Sequence, residues 1–136
     1  MLAPLFLALL AEALALAGKI EEGLAVLDDA LAKAGASGVR GWNAEIHRLR
    51  GELAGRLPYP DPAKAEDSFR AALAIAREQG TRGYELRAAT SLARLWLKQS
   101  RRTEARDLLA PVYGSFTEGF DTPDLKEAKA LLDELT

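Results

Sequence analysis

Apolar residues recur at spacings of three and four along most of the chain. Ile20, Leu24, Leu27, Leu31 and Ala34 make one stripe, and Trp42, Ile46, Leu49 and Leu53 a second. Ala65, Phe69, Ala72, Leu73 and Ala76 make a third, and Leu86, Ala89, Leu92, Ala93 and Trp96 a fourth. Ala105, Leu108, Leu109, Val112, Tyr113 and Phe116 continue the pattern, and Leu125, Ala128, Leu132 and Leu135 close it. That period is one face of an amphipathic helix. No run alternates in the way a half-buried strand requires.

Breakers separate the stripes. Gly18-Lys19 is a short turn, and GASG at 35–38 stops the second helix. A third helix runs from about Val39 to Arg56. LPYPDP at 57–62 cannot be helical, because each proline lacks an N–H and clashes with the preceding turn. Asp61-Pro62 then reads as an N-cap and first helical residue. That helix ends near Gly80, and QSRR at 99–102 makes the next turn. Pro111 predicts a kink or an early end to the sixth helix. Thr122 and Pro123 start the last one, as cap and first residue.

The first seventeen residues, MLAPLFLALLAEALALA, carry one charge, Glu12. An export signal needs a positive leading segment, and residues 1–18 hold no Lys or Arg. A membrane span needs about 20 apolar residues, and Gly18-Lys19 ends the run before that. The stretch therefore reads as a non-membrane helix with a wide apolar surface. Leu2, Phe6, Leu9 and Leu10 are expected to be covered by another chain or by a preceding repeat, since a stack needs polar ends for solubility.

Seven helices joined mostly by short turns pack as antiparallel neighbours. They also repeat. Gly23, Ala65 and Ala105 fall at one equivalent place, about 40 residues apart. Leu27, Phe69 and Leu109 follow four residues on, then Ala30, Ala72 and Val112 three after that. A small residue lets two helices approach, the large one plugs the gap beside it, and the third seats the pair on the next. One such hairpin cannot bury its own face, so neighbours must stack.

At 136 residues the chain is a single domain large enough to bury a core. The expected division is hairpins at about 3–35, 39–80 and 81–117, with a capping helix at 122–135. Ala, Leu, Glu, Arg and Lys dominate, the residues that lose least side-chain freedom in a helix. Eighteen Lys and Arg against twenty Asp and Glu give a net charge of -2, without the basic excess of a nucleic-acid surface. Cysteine is absent, which excludes disulfides, thiolate chemistry and Cys-based zinc sites, and fits a reducing cytoplasm.

AEALALAGKIEEGLAVLDDAL resembles the helix-turn-helix pattern of the tetratricopeptide repeat family. The likeness covers about residues 5–113, with Ser100 standing in for the turn glycine of the third repeat and extra residues around Pro58–Pro60 in the second. The period is longer than the family's ~34 residues. The resemblance implies an all-α, right-handed superhelical stack of three hairpins plus a capping helix, acting by protein–protein interaction. RLRGEL at 48–53 and the stretch from LRAATSLARLWL to the end are similar to the helical-repeat tails of large bacterial signalling and regulatory proteins. Those carry cyclase or DNA-binding and ATPase domains, so the likeness implies a tail of such a cytoplasmic protein, or a stand-alone relative, with upstream domains or a sister copy among its partners.

Little in the chain suggests catalysis. No GxxxxGK[ST] phosphate loop and no GxSxG stretch is present. His47, with Glu45 and Glu52 near it, invites a metal-assisted hydrolase reading. One histidine without a second His or Cys is a poor ligand set, so no metal and no cofactor is expected, and the plainer reading is a solvated or interface side chain. In a repeat stack the first helix of each pair lines the concave face. Leu5, Ala8, Glu12, Ala15 and Leu16 should point there, then Glu45, Arg48 and Glu52, then Arg87, Thr90, Arg94 and Lys98. That gives a groove with an apolar end and a basic end, suited to an acidic peptide or a chain carboxylate. The alternative is an ordinary solvated face with internal Glu–Arg pairs. The function read from the sequence is a non-catalytic interaction or scaffold module binding a protein or peptide; the alternative is a homodimerisation module working through the apolar first helix.

Overall fold

Helices form where the 3.6-residue stripes predict them. The computed structural model describes residues 4–37 and 43–136, with side chains over 9–32 and 43–136. Its elements are α1 (Pro4–Leu16), α2 (Ile20–Ser37), α3 (Asn43–Ala54), α4 (Pro62–Gln79), α5 (Arg82–Lys98), α6 (Arg102–Gly114) and α7 (Pro123–Leu135). Among the described residues there is no strand. None of these helices is long and apolar enough to cross a membrane.

The ends of the helices follow local chemistry. The Asp61 carboxylate accepts from the Lys64 N–H at 3.0 Å, and Pro62 opens α4 behind it. Gly80 closes α4 in the left-handed region, at φ 69°. Gly18 ends the first hairpin's turn at φ 83°, and Ser100, its repeat equivalent, is held at φ 62°. A side chain in that region crowds the following carbonyl, so Ser100 carries a strain that Gly18 does not.

Several ends differ from the sequence expectation. The second helix continues through Gly35 to Ser37, because one glycine costs only about 1 kcal/mol in a helix already formed. The sixth helix runs through Pro111 to Gly114. Pro111 and Asp107, whose carbonyl loses its partner, are both exposed, so water can satisfy it. Thr122 precedes α7 without a side-chain cap, and its hydroxyl instead donates to the Gly119 carbonyl at 2.7 Å. Leu131, rather than Leu132, completes the buried stripe of α7. The α3 start near Val39, Trp42 and the side chain of Ala34 lie outside the described residues.

Packing is sequential, each helix against the next. The odd-numbered helices also touch one another: α1 with α3, α3 with α5, α5 with α7. Among the described residues α2, α4 and α6 make no contacts of that kind. The odd helices therefore form the tighter layer.

The repeat positions are all inside. Gly23, Ala65 and Ala105 are buried, as are Leu27, Phe69, Leu109, Ala30, Ala72 and Val112. Gly23 sits where the α1 backbone leaves no room for a side chain on α2. A Cβ there would stand 2.9 Å from the Ala11 carbonyl oxygen. Phe69 is seated by a second glycine, on α3: a Cβ at Gly51 would lie 2.6 Å from the ring. Two hydrophobic clusters result. Ala11, Leu24, Leu27, Ala30, Ile46, Leu49 and Leu53 form the N-terminal one. The C-terminal one starts at Ala54 and runs through Phe69, Leu86, Leu92, Trp96 and Leu109 to Leu135.

Candidate functional site

The tighter layer brings the sequence-predicted polar residues together. A depression of about 270 Å³ is lined by Glu12 from α1, Glu45 and Arg48 from α3, Arg87, Thr90, Ser91 and Arg94 from α5, and Asp124 and Glu127 from α7. Two adjoining hollows extend it. One, of about 370 Å³, adds Leu16, Glu52 and Arg56. The other, of about 310 Å³, reaches Lys98 over Gly51, Phe69 and Leu95. Glu12, Glu45, Arg48, Glu52, Arg87, Arg94 and Lys98 thus share one trough, as their spacing predicts. Leu5 and Ala8 lie outside the described side chains.

The trough arginines expected to make one end basic, Arg48, Arg87 and Arg94, are engaged by carboxylates. Arg48 donates to Glu45, Nη2 to Oε1 at 2.5 Å, with Glu52 at 3.8 Å on its other side. Arg87 bridges two helices: its Nη1 reaches Glu45 Oε1 at 2.9 Å and its Nε reaches Asp124 Oδ2 at 2.9 Å. Arg94 pairs with Glu127. Ser91 donates to Glu52 at 2.7 Å, and the Thr90 hydroxyl turns inward to the Leu86 carbonyl. A ladder of charge-assisted bonds therefore crosses from α3 through α5 to α7. The reading of internal Glu–Arg pairs describes this face. Lys98 and Arg56 make no ion pair with any described residue.

Glu45 is the centre of the ladder and is buried. Burial by itself raises its carboxyl. The Arg48 and Arg87 guanidiniums outweigh that and hold it below the usual carboxylate range. The same pairing keeps Arg48 and Arg87 firmly charged, against the effect of burial.

Sequence reasoning missed Asp124 and Glu127. It took α7 only as a capping helix. A signal existed: the two carboxylates are three residues apart and flank the Leu125–Ala128 stripe, which places them on the border facing α5. Gly51 was also missed, because a glycine inside an apolar pattern does not announce which side chain it accommodates.

His47 does not lie in the trough. It is half-buried on the α3 face that meets α2 and α4, beside Arg50, which pairs with Asp28 at 2.7 Å and reaches Ser68. Of the two readings the sequence offered, solvated or interface, its half-burial between helices matches the second. Its Nδ1 is buried without a hydrogen-bond partner. Burial, and then Arg50, lower its basicity below the ordinary histidine value, with Asp28 opposing. Glu45 and Glu52 turn away into the trough. Among the described residues no three His, Cys, Asp or Glu side chains group to hold a metal.

Of the expected association face, Leu9 and Leu10 are 57% and 37% exposed. The side chains of Leu2 and Phe6 lie outside the described residues. Leu16, which ends α1, is 84% exposed.

No family model matches the chain. No solved structure matches it either. A 92-residue segment, 68% of the chain, is 37% identical to an uncharacterized protein of Rhizobium meliloti (strain 1021). The chain spans about 9% of that curated relative's length.

Proposed function

We propose that this chain is a non-catalytic protein–protein interaction module. In this reading the seven helices are a right-handed, tetratricopeptide-like stack of three hairpins with α7 as a capping helix, in the tail of a bacterial signalling or regulatory protein. The observation that carries the reading is the trough: four helices from different parts of the sequence contribute side chains to one continuous polar surface on the tighter layer. The burial of all nine repeat positions supports the stack. The match to a small part of a much longer bacterial protein supports a module within a longer chain.

The trough docks an extended peptide, a partner or a sister domain by shape and polar complementarity. Its charges balance, so it selects by geometry more than by net charge. Gly55 gives a direct test. It lines the trough, and a Cβ there meets only carbonyl oxygens of the preceding turn at ordinary contact distance. Gly55→Leu therefore fills the trough without disturbing the core. Affinity capture from a bacterial lysate should return partners with the wild-type chain that Gly55→Leu and Lys98→Glu lose. Identical capture by all three contradicts the reading.

Exposure of Leu9, Leu10 and Leu16 favours a second reading, homodimerisation through α1. A dimer weakened by Leu9→Ser would support it.

A further inference from the structure

The loop between α3 and α4 presents a tyrosine. Tyr59 is 91% exposed, and its hydroxyl bonds no described residue. Tyrosine has a large apolar ring, and leaving it in water forgoes the burial that it commonly finds at interfaces. The backbone around it is constrained. Pro58 and Pro60 fix their own φ, and Pro60 restricts Tyr59 to extended conformations. The Asp61 N–H donates to the Ala54 carbonyl at 3.3 Å and closes the loop at its base. The ring is therefore a knob on a backbone that is already fixed, so docking orders its side-chain torsions and little else.

A cleft lies beside the knob. It holds about 410 Å³ between the α1–α2 turn and this loop, with Ile20, Leu57 and Pro58 as its apolar lining. Ile20 and Leu57 are half-buried against the N-terminal cluster, so the cleft floor is the uncovered edge of that core. Its rim carries Lys19 and Arg56 against Glu21 and Glu22, two charges of each sign. Leu16 extends the apolar surface at the same end.

We propose that the Pro58-Tyr59-Pro60 knob and the Ile20–Leu57–Pro58 cleft are the two halves of a self-association site, with Tyr59 of one copy seated in the cleft of a second. Knob and cleft are neighbours on one end of the molecule, which is the arrangement a two-fold contact needs, since each copy then gives and receives the same ring. The balanced rim is also complementary to itself: a copy turned by the two-fold axis can set Arg56 and Lys19 against Glu21 and Glu22. A foreign partner would need neither property. The site goes beyond the trough reading and uses different residues as anchors.

Sedimentation velocity on the whole chain over a concentration series tests it. The wild-type chain should reach a monomer–dimer equilibrium in the micromolar range. Tyr59→Ser should weaken it about tenfold or more, as loss of an aromatic anchor does. The melting temperature of that variant, read at concentrations below the dimer range, should not move, because Tyr59 packs on nothing in the monomer. Leu9→Ser and Phe120→Ser, which remove exposed apolar side chains elsewhere, should leave the equilibrium as it was. A chain that stays monomeric throughout overturns the proposal. So does a dimer that tolerates Tyr59→Ser and is lost with Leu9→Ser, which transfers the interface to α1. Neither result bears on the trough, whose test reads Gly55 and Lys98.

Discussion

The two hydrophobic clusters are held in different ways. In the C-terminal one, aromatic side chains fill the gaps between helices: Phe69 against Gly51, and Trp96 where α4, α5 and α6 converge. The Trp96 indole donates to Glu66 at 3.1 Å. Arg101 and Arg70 lie near its ring, at 4.6 and 5.4 Å from the centroid. The charged ladder then ties α5 to α3 and α7. The N-terminal cluster holds no aromatic side chain among the described residues, and the Arg50–Asp28 pair, 2.7 Å, ties its α3 to α2. At Gly23 there is no room for a Cβ against the Ala11 backbone, and among described side chains α1 buries only Ala11 fully. The same small-large-small pattern thus gives two kinds of joint. One locks by shape and a ladder of polar ties; the other rests on close approach and the Arg50–Asp28 pair, with much apolar surface left outside.

Phe69 should show the contrast at its largest. Phe69→Ala empties the space under Gly51 and should cost about 3–5 kcal/mol, read from chemical denaturation. Leu27→Ala, at the equivalent N-terminal position, should cost about 2–5 kcal/mol and loosen α1 and α2 while α4–α7 stay folded. A cooperative loss of the whole chain from either variant would erase the distinction between the clusters. Gly51→Ala should cost about 1–3 kcal/mol by crowding the ring. In a Phe69→Ala background the same change should be neutral or stabilising, so the double-mutant cycle isolates the fit.

The two equivalent turns sharpen the comparison further. Ser100→Gly should stabilise by up to about 1 kcal/mol, the left-handed strain less glycine's extra freedom when unfolded. Gly18→Ser should destabilise by a similar amount. Thermal melts of the pair should therefore move in opposite directions.

The smallest effect expected is that of pH. His47 has its proton affinity lowered in the folded chain, so its contribution is complete above the ordinary histidine value of about 6.5. It declines as pH falls below that, when the unfolded chain takes up the proton first. His47→Gln should remove this part of the stability profile. Glu45 acts lower: its carboxyl is held below the ordinary range, so its contribution persists above that range and is lost as pH falls through it. Glu45→Gln should flatten the acidic limb of the same profile.

Most of the helical frame was legible in the sequence, because each stripe repeats often enough to fix a face. The α4 and α5 stripes are buried residue for residue, and Asp61-Pro62 begins α4 as its chemistry dictates. The trough was legible too, since odd helices in a hairpin stack must share a side. Its electrostatics were legible only as two alternatives, a basic end or internal Glu–Arg pairs. The α7 partners of Arg87 and Arg94, Asp124 and Glu127, lie more than thirty residues away, and their spacing alone did not assign them to those arginines. The surroundings of His47 were not legible either, because Asp28 and Ser68, which surround its neighbour Arg50, come from other helices. The Pro58–Pro60 segment read as a breaker, and its exposed ring emerges only once the loop closes.

Native-state hydrogen exchange, resolved by residue, tests most directly whether the C-terminal joint is the self-sufficient one and the N-terminal hairpin the loosely held, associating end. Amides of α5 and α6 around Leu92 and Leu109 should exchange last. Those of α1 and α2 should exchange sooner and together, and should gain protection as the protein concentration rises into the dimer range. Equal protection across Ala11, Leu27, Leu92 and Leu109 at every concentration would contradict the account.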